Sequence, residues 1–348
     1  AMVLTSDDQG ATWTPPRPVR LDADGKTVPG LGTSLTYLGN GKVLLVVDGM
    51  WFSSDYGATW GGPGGEAQPV PVPPGPDGKA WYLWDPLLVE HDTSGQITRL
   101  VETGYSMDHD HYASGRGPGY STAYLRFSSD EGRTWSDAIA PASWKGVSEV
   151  ALLRAADGGL VAACRTDIPA RFPGETLDHY EGLAVSTSED GGRTWSDLNR
   201  LYDHGRHHPC MLLLPDGAIV MTYVVRKGYT DAANGLPQFG VEAIVSLDNG
   251  QTWDLDHKYI LHAWTGNRTG PNGWWASSQA TSSVLLPDRS ILTVFGTGYR
   301  SQPADGGPSP RDAAVVRWRL NDGPVQDDHG LASAPIDSEL RNIFDPEL

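Results

Sequence analysis

The sequence predicts an all-β fold assembled from repeats, on three observations. An eight-residue phrase, Ser-x-Asp-x-Gly-x-Thr-Trp, returns five times, at residues 6–13, 53–60, 128–135, 188–195 and 246–253. Between its copies a second pattern recurs, in which two apolar strands flank a turn of Pro, Gly, Asp or Asn. Composition agrees, since 42 glycines and 26 prolines in 348 residues suit many turns and argue against long helices.

Each position of the phrase has a physical task in a tight turn. The aspartate (Asp8, Asp55, Asp130, Asp190, Asp248) can accept hydrogen bonds from backbone N–H groups. The glycine two residues on supplies the positive φ of the bend. The tryptophan places a large apolar body under the turn while its indole N–H seeks one partner. The phrase is a folding staple rather than a chemical motif.

The hairpins come next. They read SLTYLGNGKVLLVV (34–47), ALLRAADGGLVAACR (151–165), MLLLPDGAIVMTYVVR (211–226) and SVLLPDRSILTVFGTGYR (283–300), with a looser version at 86–105. Joining each hairpin to the phrase that follows gives units of four short strands at 33–70, 80–142, 147–202, 206–262 and 278–330, the last without a phrase. Repeats of this size are the signature of propeller blades. Residues 1–20 read as the outer half of one more blade. The expectation is therefore a six-bladed β-propeller over 1–330, with the inner half of the first blade missing from this sequence. Residues 331–348 form a tail that folds back on it, since an open sheet edge would leave backbone groups unpaired.

Charge and cysteine content bound the function. A formal charge of −17 excludes a general basic face for nucleic acid or anionic membrane. Cys164 and Cys210 give no disulfide framework and read as free thiols in apolar strands. The sequence contains no run of 18 apolar residues, so no membrane insertion is expected. No cofactor is implied, and no metal, because the histidines lack a ligand spacing such as HExxH. A monomer is expected.

In a propeller, strand ends and loops at one mouth form the pocket. Three arginines stand at matching strand ends: Arg165, Arg226 and Arg300. A guanidinium fork binds a carboxylate bidentately, so their convergence would hold an anionic sugar. At the heads of the same hairpins lie Glu149, His208 and Gln279. Glu149, beside an apolar strand, needs a partner, and Arg165 across the hairpin is the natural one. Asp85 and Asp48 are the other acids placed to face the mouth, and Asp85 with Glu149 is the preferred catalytic pair. Glycoside hydrolysis requires two carboxyl groups about 5–5.5 Å apart for retention, or about 6.5–9.5 Å for inversion. Histidines form a rival cluster, with His109 and His111 in SMDHDHYASG and His207 and His208 in GRHHP. An imidazole can act as a base near neutral pH. Trp81, Trp84, Tyr105, Tyr112, Trp264, Trp274 and Trp275 supply flat rings that could stack on sugars.

The octapeptide is the Asp-box, and over nearly the whole chain the pattern resembles the sialidase-like β-propellers. That resemblance implies a glutamate that polarises a tyrosine nucleophile and an arginine triad that binds the sialic acid carboxylate. Glu149 and Arg165 match the first and a triad member, and Arg226 resembles another. The chain departs from the pattern near Ala280, where SSQATSS holds no tyrosine, and in the first blade, whose inner hairpin would carry an arginine and an aspartate. The resemblance also implies a secreted or periplasmic protein. The reading is an exo-acting glycoside hydrolase that takes a terminal acidic sugar from a glycan. The alternatives are a polysaccharide lyase with a histidine base (His208 or His109) and a tyrosine acid, and a propeller that binds glycans without turning them over.

Overall fold

A computed structural model describes residues 1–20, 25–28, 30–76, 78, 81–108, 117–174, 178–226, 238–265, 280–297, 312–320 and 339–342. The fold is all-β, made of several antiparallel sheets whose strands follow one another in sequence. Two compact units are present: residues 1–108 with 121–152, and residues 109–120 with 153–348.

In the first unit, β1 (Met2–Val3) and β2 (Arg17–Pro18) form a two-stranded sheet, where the sequence places the outer half of one blade. A three-stranded sheet follows from β3 (Ser34–Gly39), β4 (Lys42–Val46) and β5 (Met50–Ser53). Another comprises β6 (Leu88–His91), β7 (Ile97–Met107) and β8 (Ser121–Ser128). In both, the expected fourth strand is reduced to isolated bridges, Met50 to Val70 and Phe52 to Gly61 in one, Leu125 to Ile139 in the other. The segment 61–74 is dense in glycine and proline, and a proline cannot donate to a ladder. Leu38, Leu44, Met50, Trp81, Leu83, Leu100 and Tyr124 pack as the core of this unit.

Strand β9 (Val147–Arg154) spans the division between the units and opens a four-stranded sheet with β10 (Leu160–Thr166), β11 (Gly182–Ser188) and β12 (Asn199–Tyr202). Strands β13 (Arg206–Leu213), β14 (Ile219–Val225), β15 (Gln238–Ser246) and β16 (Tyr259–Thr265) form the next sheet. The last sheet holds β17 (Thr281–Leu285), β18 (Ile291–Thr297), β19 (Asp312–Trp318) and β20 (Glu339–Asn342). Its fourth strand thus comes from inside the segment that the sequence sets apart as a tail. The central strands β10 and β14 are buried along their whole length, so a charged residue within or just beyond them is carried into the interior.

The five octapeptide turns share one hydrogen-bond scheme. In the fourth, Ser188 Oγ donates to Asp190 and accepts the N–H of Gly192 at 2.9 Å. Asp190 takes the backbone N–H of Thr194 at 2.9 Å and its hydroxyl at 2.6 Å. The same bonds recur at Asp8, Asp55, Asp130 and Asp248. The threonine hydroxyl is the largest influence holding Asp8 and Asp55 down at a pKa of about 2. The indoles of Trp13, Trp195 and Trp253 each donate to the carbonyl of the glycine in their own octapeptide at 3.1 Å. One feature was not legible: the residue before that glycine also has positive φ, at Gln9, Tyr56, Glu131, Gly191 and Asn249.

Candidate functional site

The second unit gathers a cationic cluster at the ends of its central strands. Arg165, in β10, is 4% exposed, and Arg226, the residue after β14, is 3% exposed. A buried guanidinium requires acceptors. Arg165 forms an ion pair with Glu181, which directly precedes β11 and is itself buried. The Nη1 atom of Arg165 and the Nη2 atom of Arg226 both lie 3.2 Å from Nε2 of His208. Guanidinium groups only donate, so Nε2 must accept, and the neutral imidazole carries its proton on Nδ1. That lone pair is then unavailable to a metal ion or to an abstracted proton.

Two features of β13 put His208 there. Its register with β14 shifts between His207 and Cys210, and Pro209 in that interval has no N–H for the ladder. His208 also has a φ of 52°, a left-handed conformation that costs a non-glycine residue energy. His207, fully buried, has its ring centroid 4.7 Å from that of His208. Burial, then the charges of Arg165 and Arg226, push the His207 imidazole well below its usual pKa, so it is neutral.

The first unit holds an acid pair. Asp85 lies in the loop before β6, held by Ser34 Oγ, which donates to its carbonyl at 2.8 Å. Burial first, and the charge of Glu149 second, raise the Asp85 carboxyl well above the usual carboxylate range. Glu149 is 3% exposed and has a φ of 45°. The like charge of Glu149 adds to burial in favouring the protonated form of Asp85.

The remaining expected residues fall differently. Asp48 accepts the indole N–H of Trp51 at 3.0 Å and forms a half-exposed ion pair with Arg20. The Trp51 bond is the main reason its pKa is lowered, and the carboxylate is committed to these two neighbours. Trp81 and Tyr105, proposed as sugar platforms, are buried, because Trp81 packs on Tyr124 and stacks on Arg126. Arg300, His109, His111, Gln279 and Trp275 lie outside the described residues, as do Tyr112 and Trp274. Cys164, buried, and Cys210, partly buried, are not in a disulfide, and no helix among the described residues is long and apolar enough to cross a membrane.

Sequence reasoning did not single out Glu181, nor the pair Glu102 and Arg126. The latter are cross-strand partners in β7 and β8, both buried, joined as an ion pair. Arg126 also faces the rings of Trp81 at 4.6 Å and Trp135 at 4.9 Å. The available signal was a lone charge inside an apolar stretch, as in LVETGY and AYLRFSS.

Comparisons with known proteins bear on the fold. A protein of unknown function from Dyadobacter fermentans superposes with a TM-score of 0.58 at 19% identity, over 90% of this chain and 82% of that one. An α-L-arabinanase from Penicillium chrysogenum, solved with arabinobiose, gives 0.52 at 16% identity, over 91% and 94%. The NanB sialidase of Streptococcus pneumoniae gives 0.44 at 18% identity, over 73% of this chain and 32% of that one, so the chain spans about a third of that sialidase. No curated protein matches by sequence. The profile of the BNR repeat-like domain matches residues 1–203, more than half of the chain and the stretch that holds four of the five octapeptide turns. The chain therefore belongs to the BNR repeat-like domain family.

Proposed function

We propose that the protein is a glycan-active enzyme, an exo-acting glycoside hydrolase that takes a terminal acidic sugar. The observation that carries the reading is the pair of buried guanidinium groups, Arg165 and Arg226, brought to one neutral acceptor atom. Two buried positive charges gathered at one point favour an anionic ligand, and a sugar carboxylate matches the forked donors. Asp85 and Glu149 supply the acid chemistry. Asp85, its carboxyl pKa raised, donates a proton to the leaving oxygen, and Glu149 acts as nucleophile, base or stabiliser of an oxocarbenium-like transition state. In the same reading the sheets are blades of a six-bladed Asp-box propeller, and Arg300 adds a third guanidinium.

The lyase alternative loses support at His208, because a base needs a free lone pair and Nε2 already accepts from two arginines. The test is a screen of sialosides, uronate polysaccharides and neutral aryl glycosides, read by mass spectrometry. Release of a saturated acidic monosaccharide is the expected result. An unsaturated, ultraviolet-absorbing uronate would instead establish a lyase, and binding without turnover would reduce the protein to a glycan-binding module.

A further inference from the structure

We propose that His208 is a positioning residue that assembles Arg165 and Arg226 into one carboxylate clamp, acting as a neutral imidazole protonated on Nδ1. This rests on the acidic-sugar reading above.

The physical problem is to hold two positive charges together in the interior. Both guanidinium groups are almost fully buried, so water screens their repulsion weakly. Glu181 answers part of this by pairing with Arg165. His208 bridges the two arginines, since its Nε2 takes an N–H from each at 3.2 Å. One imidazole nitrogen has a single lone pair, so two donors must share it, and each bond is long for a charge-assisted contact. A carboxylate oxygen offers two lone pairs and a negative charge. It would outcompete the imidazole for these donors while finding them already gathered, which is preorganisation of the binding site.

The surroundings fix the imidazole for this task. His207, fully buried and neutral, packs its ring against that of His208. The positive φ of His208 and the proline that follows it constrain the backbone. Strain of this kind persists where the surrounding structure over-determines it, and it clusters at ligand sites.

The test compares His208→Gln, whose amide oxygen is a neutral acceptor, with His208→Ala. D-glucuronate and N-acetylneuraminate, each beside its methyl ester, are titrated calorimetrically, and thermal melts confirm that both variants fold. The wild type should prefer acid to ester. His208→Gln should keep acid affinity within about threefold, and His208→Ala should lose about tenfold or more for the acids with ester binding unchanged, the cost of gathering two guanidinium groups that are no longer held together. In parallel, nitrogen-15 NMR of histidine-labelled protein should show the Nε2 of His208 unprotonated. Equal acid affinity in His208→Ala, or a protonated Nε2, would overturn the proposal. A wild type that does not distinguish acid from ester would defeat the acidic-sugar reading instead, and the nitrogen-15 result would still decide whether His208 gathers the arginines.

Discussion

Glu149 and His208 turn their backbones through positive φ at the same place in their hairpins, 45° in β9 and 52° in β13. Each lies six residues before the amide that closes its turn, Ala155 N–H to Gly159 in one case and Leu214 N–H to Ala218 in the other. Neither residue is a glycine, and both side chains are buried. A conformation of this kind costs about 1–3 kcal/mol, and it recurs at these two buried polar residues, where the surrounding structure must hold it.

Substituting Glu149→Gln preserves shape and removes the charge. Turnover of the substrate found in the screen should fall by about 100-fold or more, the scale of a lost acid–base group, with the circular dichroism spectrum unchanged. Full activity in this variant would remove Glu149 from the mechanism.

Asp85 gives a pH dependence of definite sign. Its folded pKa is raised, so the protonated form needed for acid catalysis is present at low pH and lost as pH rises through the raised value. The rate should therefore show an alkaline limb owed to Asp85. Glu149→Gln removes the charge that contributes to the shift, so the residual activity of that variant should lose its alkaline limb at a lower pH. Linkage runs the same way: the contribution of Asp85 to stability is full below its unfolded pKa and lost as pH rises through the folded one. Urea melts across pH on Asp85→Asn should show a flatter profile than wild type.

What was legible in the sequence, and what was not, follows from the range of the interactions. The octapeptide turns close within eight residues, so Asp190, Gly192 and Thr194 announce their bonds in sequence. Hairpins such as 151–165 and 211–226 are equally local, and their strands appear where alternation and turn residues place them. The recurrence of arginine at matching strand ends marks Arg165 and Arg226 as candidates. Glu181, the partner of Arg165, lies 16 residues away across a connection with no periodic signal. The positive φ of Glu149 and His208 was hidden because no glycine or turn phrase marks either position.

The octapeptide turns can be tested at the position that the sequence did not reveal. Gly191 occupies the first of two left-handed positions in the fourth turn, with a φ of 75°. Gly191→Ala should cost about 1 kcal/mol, the penalty of a side chain in that region. Asn249, at the equivalent position of the fifth turn with a φ of 59°, should tolerate glycine with little change. Differential thermal melts of the two variants check the contrast, and equal destabilisation would mean that packing rather than backbone conformation governs these turns.

The ion pair of Glu102 and Arg126 offers a test inside the first unit alone. Burial raises Glu102 to about 7 against the opposing pull of Arg126, while burial lowers Arg126. A raised carboxyl contributes stability that is full below its unfolded value of 4.5 and is lost as pH rises through about 7. Removing one partner leaves the other charge uncompensated in the core, so Arg126→Met should destabilise the protein by about 3 kcal/mol or more at pH 8. At pH 5, where Glu102 accepts a proton, the same substitution should cost less. The double variant Glu102→Leu with Arg126→Met should recover most of the loss, because two apolar side chains replace a desolvated pair. Tryptophan fluorescence reports the event directly, since the guanidinium lies over the rings of Trp81 and Trp135. A loss in Arg126→Met that is independent of pH would show that the cation's packing between the indoles, and not its charge on Glu102, is what holds β7 to β8.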